Sequence, residues 1–368
     1  MSVTRPGRRE TLGGLTPLPV DPPFTVPGGG YPGESRGDSQ VANLTDRSMK
    51  EQLDKYLADV HAIEEQALTQ LHRAPDIAGD ERLTRVFRQH LAETNGHENT
   101  IRRRLEARGT DPSTLKDLAG KAGGMGMLAF ARANPDTPGK LTAHAFSYEH
   151  MEIAAYELLI RVADRAGDAE TVAVSQRNLE EEREMANRLA GCFDAAAAAS
   201  LRETAPTDER DQLVKYLVDA HAVEQQAEQL LTKGPDLVDD ELLAQVFEDH
   251  LEETRGHTRR LEEALSLHDA KPSRFQDAAM RAGGLSIAAF FTAQPDTTAK
   301  LAGFAFAFEH LEVAAYELLR RVAERASDRQ AVRIADEILP DERSAAARIA
   351  ALWDHAIEAG LEEQGVVG

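Results

Sequence analysis

The feature that most constrains the fold is an internal repeat. From about Glu51 to Ala350 the sequence returns at a constant offset of 160 residues, and the two copies align without a gap. For example, DKYLADVHAIEEQA at 54–67 returns as VKYLVDAHAVEQQA, and YEHMEIAAYELL at 148–159 returns as FEHLEVAAYELL. Because each copy is long enough to be a domain, the chain is predicted to contain two copies of one domain rather than one large core.

The two ends of the chain differ from the repeats in composition. The first 45 residues hold seven of the 16 prolines and eight of the 26 glycines, which cannot pack a core. The predicted organisation is a disordered Pro/Gly-rich arm at 1–45, bundles at 46–200 and 206–358, and a flexible tail at 359–368. Two interpretations of the arm stay open: an unstructured tail, or a peptide that docks on a protein partner.

Composition excludes several classes of protein. The chain has 42 Lys and Arg residues against 63 Asp and Glu residues, a net charge of -21. This charge repels phosphate backbones and anionic lipids, so neither nucleic acid nor a membrane is expected as a partner. No segment approaches the ~18 consecutive apolar residues of a membrane span. The one cysteine, Cys192, cannot form an internal disulfide, which fits a cytoplasmic location.

The periodicity of apolar residues is helical almost throughout, so an all-α fold is predicted. Four long helices are expected in each copy: 47–72, 80–108, 138–166 and 169–198, then 207–232, 240–268, 298–326 and 329–358. Short turns make the first and second helices antiparallel, and likewise the third and fourth. About 29 residues separate the second helix from the third. Such a long crossover makes these two helices parallel, which predicts two tandem ferritin-like four-helix bundles.

Each long helix carries acidic residues on the stripe that its apolar residues predict to be buried. Residues three or four apart on a helix share a face, so these acids should converge in the bundle interior with one histidine. The predicted metal ligands of the first copy are Glu64, Glu93, His97, Glu149, Glu152 and Glu182. Those of the second copy are Glu224, Glu253, His257, Glu309, Glu312 and Glu342.

Energetics indicate what must accompany these acids. A buried ion costs several kcal/mol, whereas a whole domain has only ~5–15 kcal/mol of net stability. No lysine or arginine lies on these stripes near the acids, so protons or metal cations must compensate. Five acids with an imidazole match a dinuclear site, and two metal ions per bundle are therefore expected.

Several other polar residues lie near the stripes. His61, His90 and His150 are interpreted mainly as groups that flank the site. Tyr156 and Tyr316 lie one turn beyond a predicted ligand and are either packing residues or redox-active residues. Pro340 falls inside the fourth helix of the second copy and could kink it, which would displace Glu342.

Four blocks of the first copy, DVHAIEEQ, HLAETNGH, YEHMEIAAYELL and LEEERE, resemble the ferritin-like, stress-associated YciE/YciF type of bacterial protein. The resemblance implies a ferritin-like bundle with a di-iron-type site. Ferritin-like di-iron proteins use Glu from two helices and Glu-x-x-His from the other two. This sequence departs from that pattern, because Met185 stands where the fourth helix would supply a histidine. One histidine per copy leaves the choice between iron and manganese open.

The expected function is a dimetal carboxylate protein, most simply a di-iron protein, that binds ferrous iron and reacts with oxygen or peroxide. Its role would be in iron handling or oxidative-stress defence. One alternative is a non-catalytic metal-binding protein that takes part in stress interactions. Another is an enzyme similar to manganese catalase. The tandem bundles are expected to pack as a pseudo-dimer.

Overall fold

The computed structural model describes residues 36–110, 138–203, 209–272 and 297–366, and every regular element in these ranges is a helix. The first repeat comprises α1 (Arg36–Leu71), α2 (Ala74–Ile77), α3 (Glu81–Ala107), α4 (Pro138–Arg165), α5 (Ala169–Ala190) and α6 (Phe193–Glu203). The second comprises α7 (Glu209–Lys233), a 3-10 turn (Gly234–Asp236), α8 (Glu241–Leu267), α9 (Thr297–Arg325), α10 (Arg329–Ala350) and α11 (Trp353–Glu363). The all-α prediction is confirmed. None of these helices is long and apolar enough to cross a membrane.

Helix ends differ from the prediction at three places. Helix α1 begins at Arg36, inside the segment predicted as the arm, while residues 1–35 lie outside the described ranges. The predicted helix at 169–198 is broken between α5 and α6, and its counterpart is broken between α10 and α11. At each break the chain turns and an aromatic ring enters the core. Phe193 packs 5.4 Å from Phe146, and Trp353 packs 5.3 Å from Phe306, measured between ring centroids.

Helices α1 and α3 run antiparallel, as pairs of contacting residues show. Arg108, at the end of α3, binds Asp54 near the beginning of the described side chains of α1, at 2.5 Å. His61, further along α1, lies 3.1 Å from Glu98, which is earlier in α3. The tight turn around α2 joins the two helices, as the sequence predicts.

The third and fourth helices of the bundle establish the crossover. Arg104 of α3 binds Asp168 just before α5, whereas Glu93 of α3 binds Arg188 near the end of α5, so α3 and α5 are antiparallel. A short turn at Gly167 makes α4 and α5 antiparallel as well. Helices α3 and α4 are therefore parallel, as the long crossover at 111–137 requires. That crossover itself lies outside the described residues.

The bundle interior is apolar towards both ends and polar in between. Leu57, Ile101 and Leu159 are fully buried towards one end, and Phe87 and Leu189 are fully buried towards the other. Between these two layers many of the buried side chains are carboxylates, imidazoles and hydroxyls. The apolar layers exclude water from the polar middle of the bundle.

The two repeats contact each other through α4 and α9. Ser147 Oγ donates a buried hydrogen bond to the carbonyl oxygen of Ala307, its counterpart in the second repeat, at 2.7 Å. The rings of His150 and His310 stack with centroids 3.4 Å apart and planes inclined by 13°. Since α4 and α9 also carry predicted ligands, this contact ties together the helices that form the polar interiors.

Ion pairs at the same contact come in reciprocal sets. Lys140 lies 3.5 Å from Asp219, and Lys300 lies 3.0 Å from Asp59. Lys140 and Lys300 occupy equivalent positions in the two repeats, as do Asp59 and Asp219. Each repeat therefore offers the same residues to the other.

Candidate metal centre

Two overlapping groups of potential ligands lie in the middle of the first bundle. Within each group, one ligating atom from every residue lies within 4.8 Å of those from the others, and all the residues are buried. Cluster A consists of His90, Glu149, Glu152 and Glu182, and cluster B consists of Glu64, His97 and Glu182. Because Glu182 belongs to both clusters, α1, α3, α4 and α5 together form one continuous site, called here the first centre.

The second bundle contains an equivalent arrangement, the second centre. Its clusters are His250, Glu309, Glu312 and Glu342, and Glu224, His257 and Glu342. Helix α10 continues through Pro340, whose ring lies on the exposed side. Glu342 is fully buried and takes part in both clusters. The kink considered from the sequence therefore does not remove Glu342 from the site.

His90 is held by a carboxylate on its outer side. Its Nδ1 lies 3.2 Å from Glu93 Oε2, while its Nε2 lies 3.0 Å from Glu149 and 3.5 Å from Glu182. In the neutral ring that donates from Nδ1 to Glu93, the lone pair on Nε2 points into cluster A. A carboxylate that holds the outer nitrogen of an imidazole is the usual support of a metal-binding histidine.

His97 has the same kind of support in cluster B. Its Nε2 lies 2.8 Å from Glu181, whose side chain is half exposed, and its Nδ1 lies 2.6 Å from Glu182 and 3.8 Å from Glu64. If Nε2 carries the proton, two oxygen atoms and a nitrogen lone pair meet inside the cluster. Such an arrangement is repulsive unless a proton or a metal cation lies among them.

Glu93 lies outside both clusters, although the sequence analysis placed it among the ligands. Its carboxylate binds Arg188 of α5 at 2.6 and 3.0 Å, and its side chain is 21% exposed. The buried stripe of α3 steps from His90 to Thr94 and then to His97, four residues and then three. Steps of three and then four residues, the opposite order, predict Glu93 as a ligand and His90 as a flanking group. In the second bundle Glu253 likewise binds Arg348, and His250 is in the cluster.

Spacing along α3 could have identified the second histidine. His90 and His97 are seven residues apart, two helical turns, so both project from one face. The same spacing recurs at His250 and His257. No local signal in the sequence shows that Glu181 supports His97, because the two residues come from different helices.

The remaining predicted residues have clear positions. Glu64, Glu149 and Glu152, with their counterparts in the second repeat, are brought together as the sequence analysis expected. His61 lies outside the clusters and contacts Glu98. His150 lies next to a cluster residue in sequence but stacks on His310 at the contact between the repeats. It therefore faces away from the centre.

Glu152 shows most directly that the first centre is suited to cations. It is 1% exposed, and within the described part of the chain neither of its carboxylate oxygens has a hydrogen-bond partner. The same holds for Glu312 in the second bundle. A buried carboxylate without partners costs several kcal/mol, so these oxygens fit a bound cation or a proton.

Tyr156 lies against cluster B. Its fully buried hydroxyl donates a short hydrogen bond to Glu64 Oε1 and accepts one from Asn178 Nδ2 at 2.9 Å. Tyr316 donates to Glu224 in the same way. The position of Asn178, however, is occupied by Ile338 in the second repeat. Each tyrosine hydroxyl thus contacts a cluster carboxylate, but among the described residues only the first tyrosine also accepts from an amide.

Three carboxyl groups of the first centre have a raised pKa. Burial, reinforced by the charge of Glu182, raises the pKa of Glu64 to about 8. Burial raises the pKa of Glu149 to about 7 despite the opposing effect of His90. The pKa of Glu152 is raised well above its usual range by burial and by neighbouring carboxylates. The cause throughout is the cost of charge in a dry interior.

The imidazoles show the complementary effect. Burial alone would lower the pKa of His97, but hydrogen bonding to Glu182 and its charge outweigh this and raise it to about 9. The pKa of His90 is also raised, because the charge of Glu149 overcomes burial. Without a metal ion, protons therefore compensate the carboxylates. Metal binding has to displace those protons.

Titration in the second centre is distributed differently. Burial raises the pKa of Glu224 to about 7. Burial alone would lower the pKa of His257, but its hydrogen bonds to Glu224 and Glu342 outweigh this effect and raise the pKa to about 10. Burial alone would raise the pKa of Glu342, but hydrogen bonds from His250 and His257 outweigh this effect and lower the pKa to about 2. The shared carboxylate of the second centre is thus held as an anion by imidazolium groups.

The charge of the donor set in each centre would balance two divalent cations. The two clusters of the first centre contain four different carboxylates and two imidazoles. Two divalent ions would match the four negative charges while the histidines bind as neutral ligands. Oxygen and imidazole donors suit iron, manganese and zinc, and a carboxylate shared by two clusters is suited to bridge two ions.

Comparison with known proteins identifies the family to which this chain belongs. A profile of the family described as a domain of unknown function, DUF892, matches twice, over residues 48–202 and 208–362. Protein YciF of Escherichia coli (strain K12) is 30% identical over 139 residues, which represent 36% of this chain and 83% of that protein. No solved structure gives a significant match. The resemblance expected from the sequence and the tandem duplication are thereby confirmed.

Proposed function

For this chain, which belongs to the DUF892 family, we propose that each repeat is a ferritin-like bundle that holds two metal ions, most simply iron, and promotes their reaction with oxygen or peroxide. The observation that supports this proposal most strongly is that Glu182 belongs to two buried clusters of potential ligands, as Glu342 does in the second repeat. Such a protein would serve in iron handling or in oxidative-stress defence.

The residues divide between the two ions according to the clusters. His90, Glu149 and Glu152 would hold one ion, Glu64 and His97 would hold the other, and Glu182 would bridge them. Bound iron would supply the electrons that reduce oxygen or peroxide, and manganese is the alternative metal.

The protein's own groups would then control protons and water. Glu93 and Glu181 fix the imidazoles so that their lone pairs face the centre. Tyr156 would hold its hydroxyl proton in the hydrogen bond to Glu64 and so orient that carboxylate. The apolar layers at both ends exclude bulk water, which strengthens every electrostatic interaction inside.

The arrangement of the repeats belongs to the same proposal. Reciprocal ion pairs and the stacked histidines support packing of the two bundles as a pseudo-dimer. We also place the protein in the cytoplasm, since its one cysteine has no partner within the chain for a disulfide. The segment at 1–45 would carry any contact with a protein partner.

Aerobic titration of the metal-free protein with ferrous iron, with elemental analysis of the product, tests the function. We expect about two ions per repeat, oxygen uptake coupled to iron oxidation, and a near-ultraviolet absorption band. The matched control is the double variant Glu182→Ala with Glu342→Ala, which should lose both binding and uptake.

The other outcomes identify the alternatives. Stoichiometric iron binding without oxygen uptake would contradict the redox part of the proposal and leave a non-catalytic metal-binding protein. Peroxide breakdown that depends on manganese and not on iron would indicate a protein similar to manganese catalase. Failure to bind any divalent ion would contradict the whole proposal.

A further inference from the structure

A surface cavity of about 140 Å³ lies at one end of the second bundle, away from the second centre. Its polar lining comes from Arg210, His268, Asp328 and Gln330, and part of its apolar lining comes from Ala264 and Ala331. It lies where the end of α8 meets the beginning of α10. The internal repeat permits a direct comparison with the same place in the first bundle.

In the first bundle a side chain occupies this place. Arg104, the counterpart of Ala264, is only 8% exposed. Its Nη2 lies 2.9 Å from each oxygen of Asp168, and its Nε donates to Thr171 Oγ1 at 3.0 Å. Asp168 and Thr171 correspond to Asp328 and Ala331. The cavity therefore lies where the first bundle packs a guanidinium group.

The carboxylate that binds this guanidinium group in the first bundle has an equivalent in the second bundle, Asp328. Asp328 Oδ1 caps α10 by accepting from the backbone N–H groups of Gln330 at 3.0 Å and Ala331 at 2.8 Å. Its Oδ2 lies 3.0 Å from His268 Nε2. Asp168 makes an equivalent cap and in addition binds two arginines, Arg104 and Arg108. The carboxylate of Asp328 can therefore accept further hydrogen bonds, as Asp168 does from Arg104.

The charges around the cavity also permit a cation. Arg210 Nε donates to His268 Nδ1 at 3.3 Å, so the imidazole that donates from Nε2 to Asp328 is neutral. The positive charge of Arg210 then balances Asp328, and Gln330 is neutral. In the first bundle Arg108 binds both Asp54 and Asp168, and Arg104 is the second cation beside Asp168. The cavity itself therefore carries no net positive charge that would oppose a guanidinium group.

We propose that this cavity is a binding site for a guanidinium group, carried either by a small alkylguanidine or by an arginine side chain of a peptide. A planar guanidinium fits a carboxylate with two parallel hydrogen bonds, which a simple ammonium ion cannot match. The alkyl part of the ligand would lie along Leu267, whose side chain is largely exposed.

Calorimetric titration of the full chain with methylguanidinium, at constant ionic strength, tests the site. We expect one saturable site per chain and binding weaker by about tenfold or more for methylammonium, because the fork of donors is lost. Equal binding of the two cations, or no saturable binding of methylguanidinium, would overturn the proposal. Agmatine and an arginine-containing peptide, titrated in parallel, distinguish the two sources of the group.

Two variants locate the binding in the cavity. Ala264→Arg should place a side chain where Arg104 lies in the first bundle and abolish methylguanidinium binding. Asp328→Asn keeps a good helix cap but removes the charge, so it should weaken binding by about tenfold or more even if the first variant fails to fold. Methylguanidinium binding that survives Asp328→Asn unchanged would show that the cavity is not the site.

The first bundle supplies a reciprocal test. Arg104→Ala should open an equivalent cavity beside Asp168 and raise the number of methylguanidinium sites from one to two per chain. A folded Arg104→Ala protein that still binds at one site would contradict the view that the cavity is complementary to a guanidinium.

Discussion

The two bundles share the residues of their central clusters but differ in the residues around them. Each centre has four glutamates and two histidines at equivalent positions, with equivalent contacts to a supporting carboxylate and to a tyrosine. By contrast, Asn178, Arg104 and Glu180 of the first repeat are replaced by Ile338, Ala264 and Pro340. The surroundings have therefore changed without displacing the ligands.

This difference shows what positions the centre. Glu342 remains buried in both clusters although a proline stands two residues before it, where the helix loses a backbone donor. Ligand positions thus follow from which face of each long helix is buried, and packing along the whole helix determines that face. Individual supporting contacts change the surroundings of the centre but do not determine where its residues lie.

The largest expected effect comes from removing one shared carboxylate. Glu182→Ala should eliminate both ions from the first centre while the second keeps its own, so metal content should fall from about four to about two ions per chain. Glu342→Ala is the matched control and should give the same value. If either variant loses only one ion, or loses all four, the two centres are not independent dinuclear sites.

Proton displacement should make metal binding strongly dependent on pH. In the metal-free first centre Glu149, Glu64 and His97 have pKa values of about 7, 8 and 9, so each holds a proton at lower pH that a metal must displace. Affinity should therefore rise with pH up to about pH 9, by about tenfold per pH unit for each proton displaced. Calorimetry in buffers of different ionisation enthalpy measures proton release directly. No release at pH 7 would contradict these ionisation states.

The tyrosines offer a sharper comparison of the bundles. Tyr156→Phe deprives both Glu64 and Asn178 of a partner, whereas Tyr316→Phe deprives only Glu224. In the metal-free protein the first substitution should lower the free energy of unfolding by about 1 kcal/mol more than the second, since an additional buried amide loses a hydrogen bond. Denaturant unfolding of both variants measures this. Asn178→Ile should remove the difference.

The smallest effect concerns the turn before the last long helix of each bundle. Gly167 has a φ of 70°, and its counterpart Ser327 has a φ of 57°, a conformation that is costly for a residue with a side chain. Ser327→Gly should raise the free energy of unfolding of the second bundle by up to about 1 kcal/mol. Gly167→Ser should lower that of the first by a similar amount. A thermal unfolding series of the two variants is sufficient, and effects of the same sign would contradict this account.

Much of the fold could be predicted from the sequence because it depends on local periodicity and on loop length. The long helices and the parallel arrangement of α3 and α4 followed from apolar stripes and from the long crossover. The breaks before Phe193 and Trp353 did not, since Gly191 marks only the first of them and the equivalent residue, Ala351, is a strong helix former. They depend on where an aromatic ring finds space in the core.

The site was predictable to the extent that helical faces define it. Glu64, Glu149, Glu152 and Glu182 occupy unmistakable core positions, and the structure brings them together. For α3, steps of three and four residues can be combined in either order, so periodicity alone does not separate Glu93 from its neighbours. What separates it is Arg188, 95 residues away in the sequence and brought close only by the bundle.

Crystals of the protein grown with iron or manganese, and diffraction recorded at the absorption edge of the metal, test the central claim most directly. Two anomalous peaks should appear in each bundle, one within His90, Glu149 and Glu152 and one between Glu64 and His97, with Glu182 contacting both. Equivalent peaks should surround Glu342. A metal-saturated crystal with no anomalous density at either shared glutamate would contradict the account.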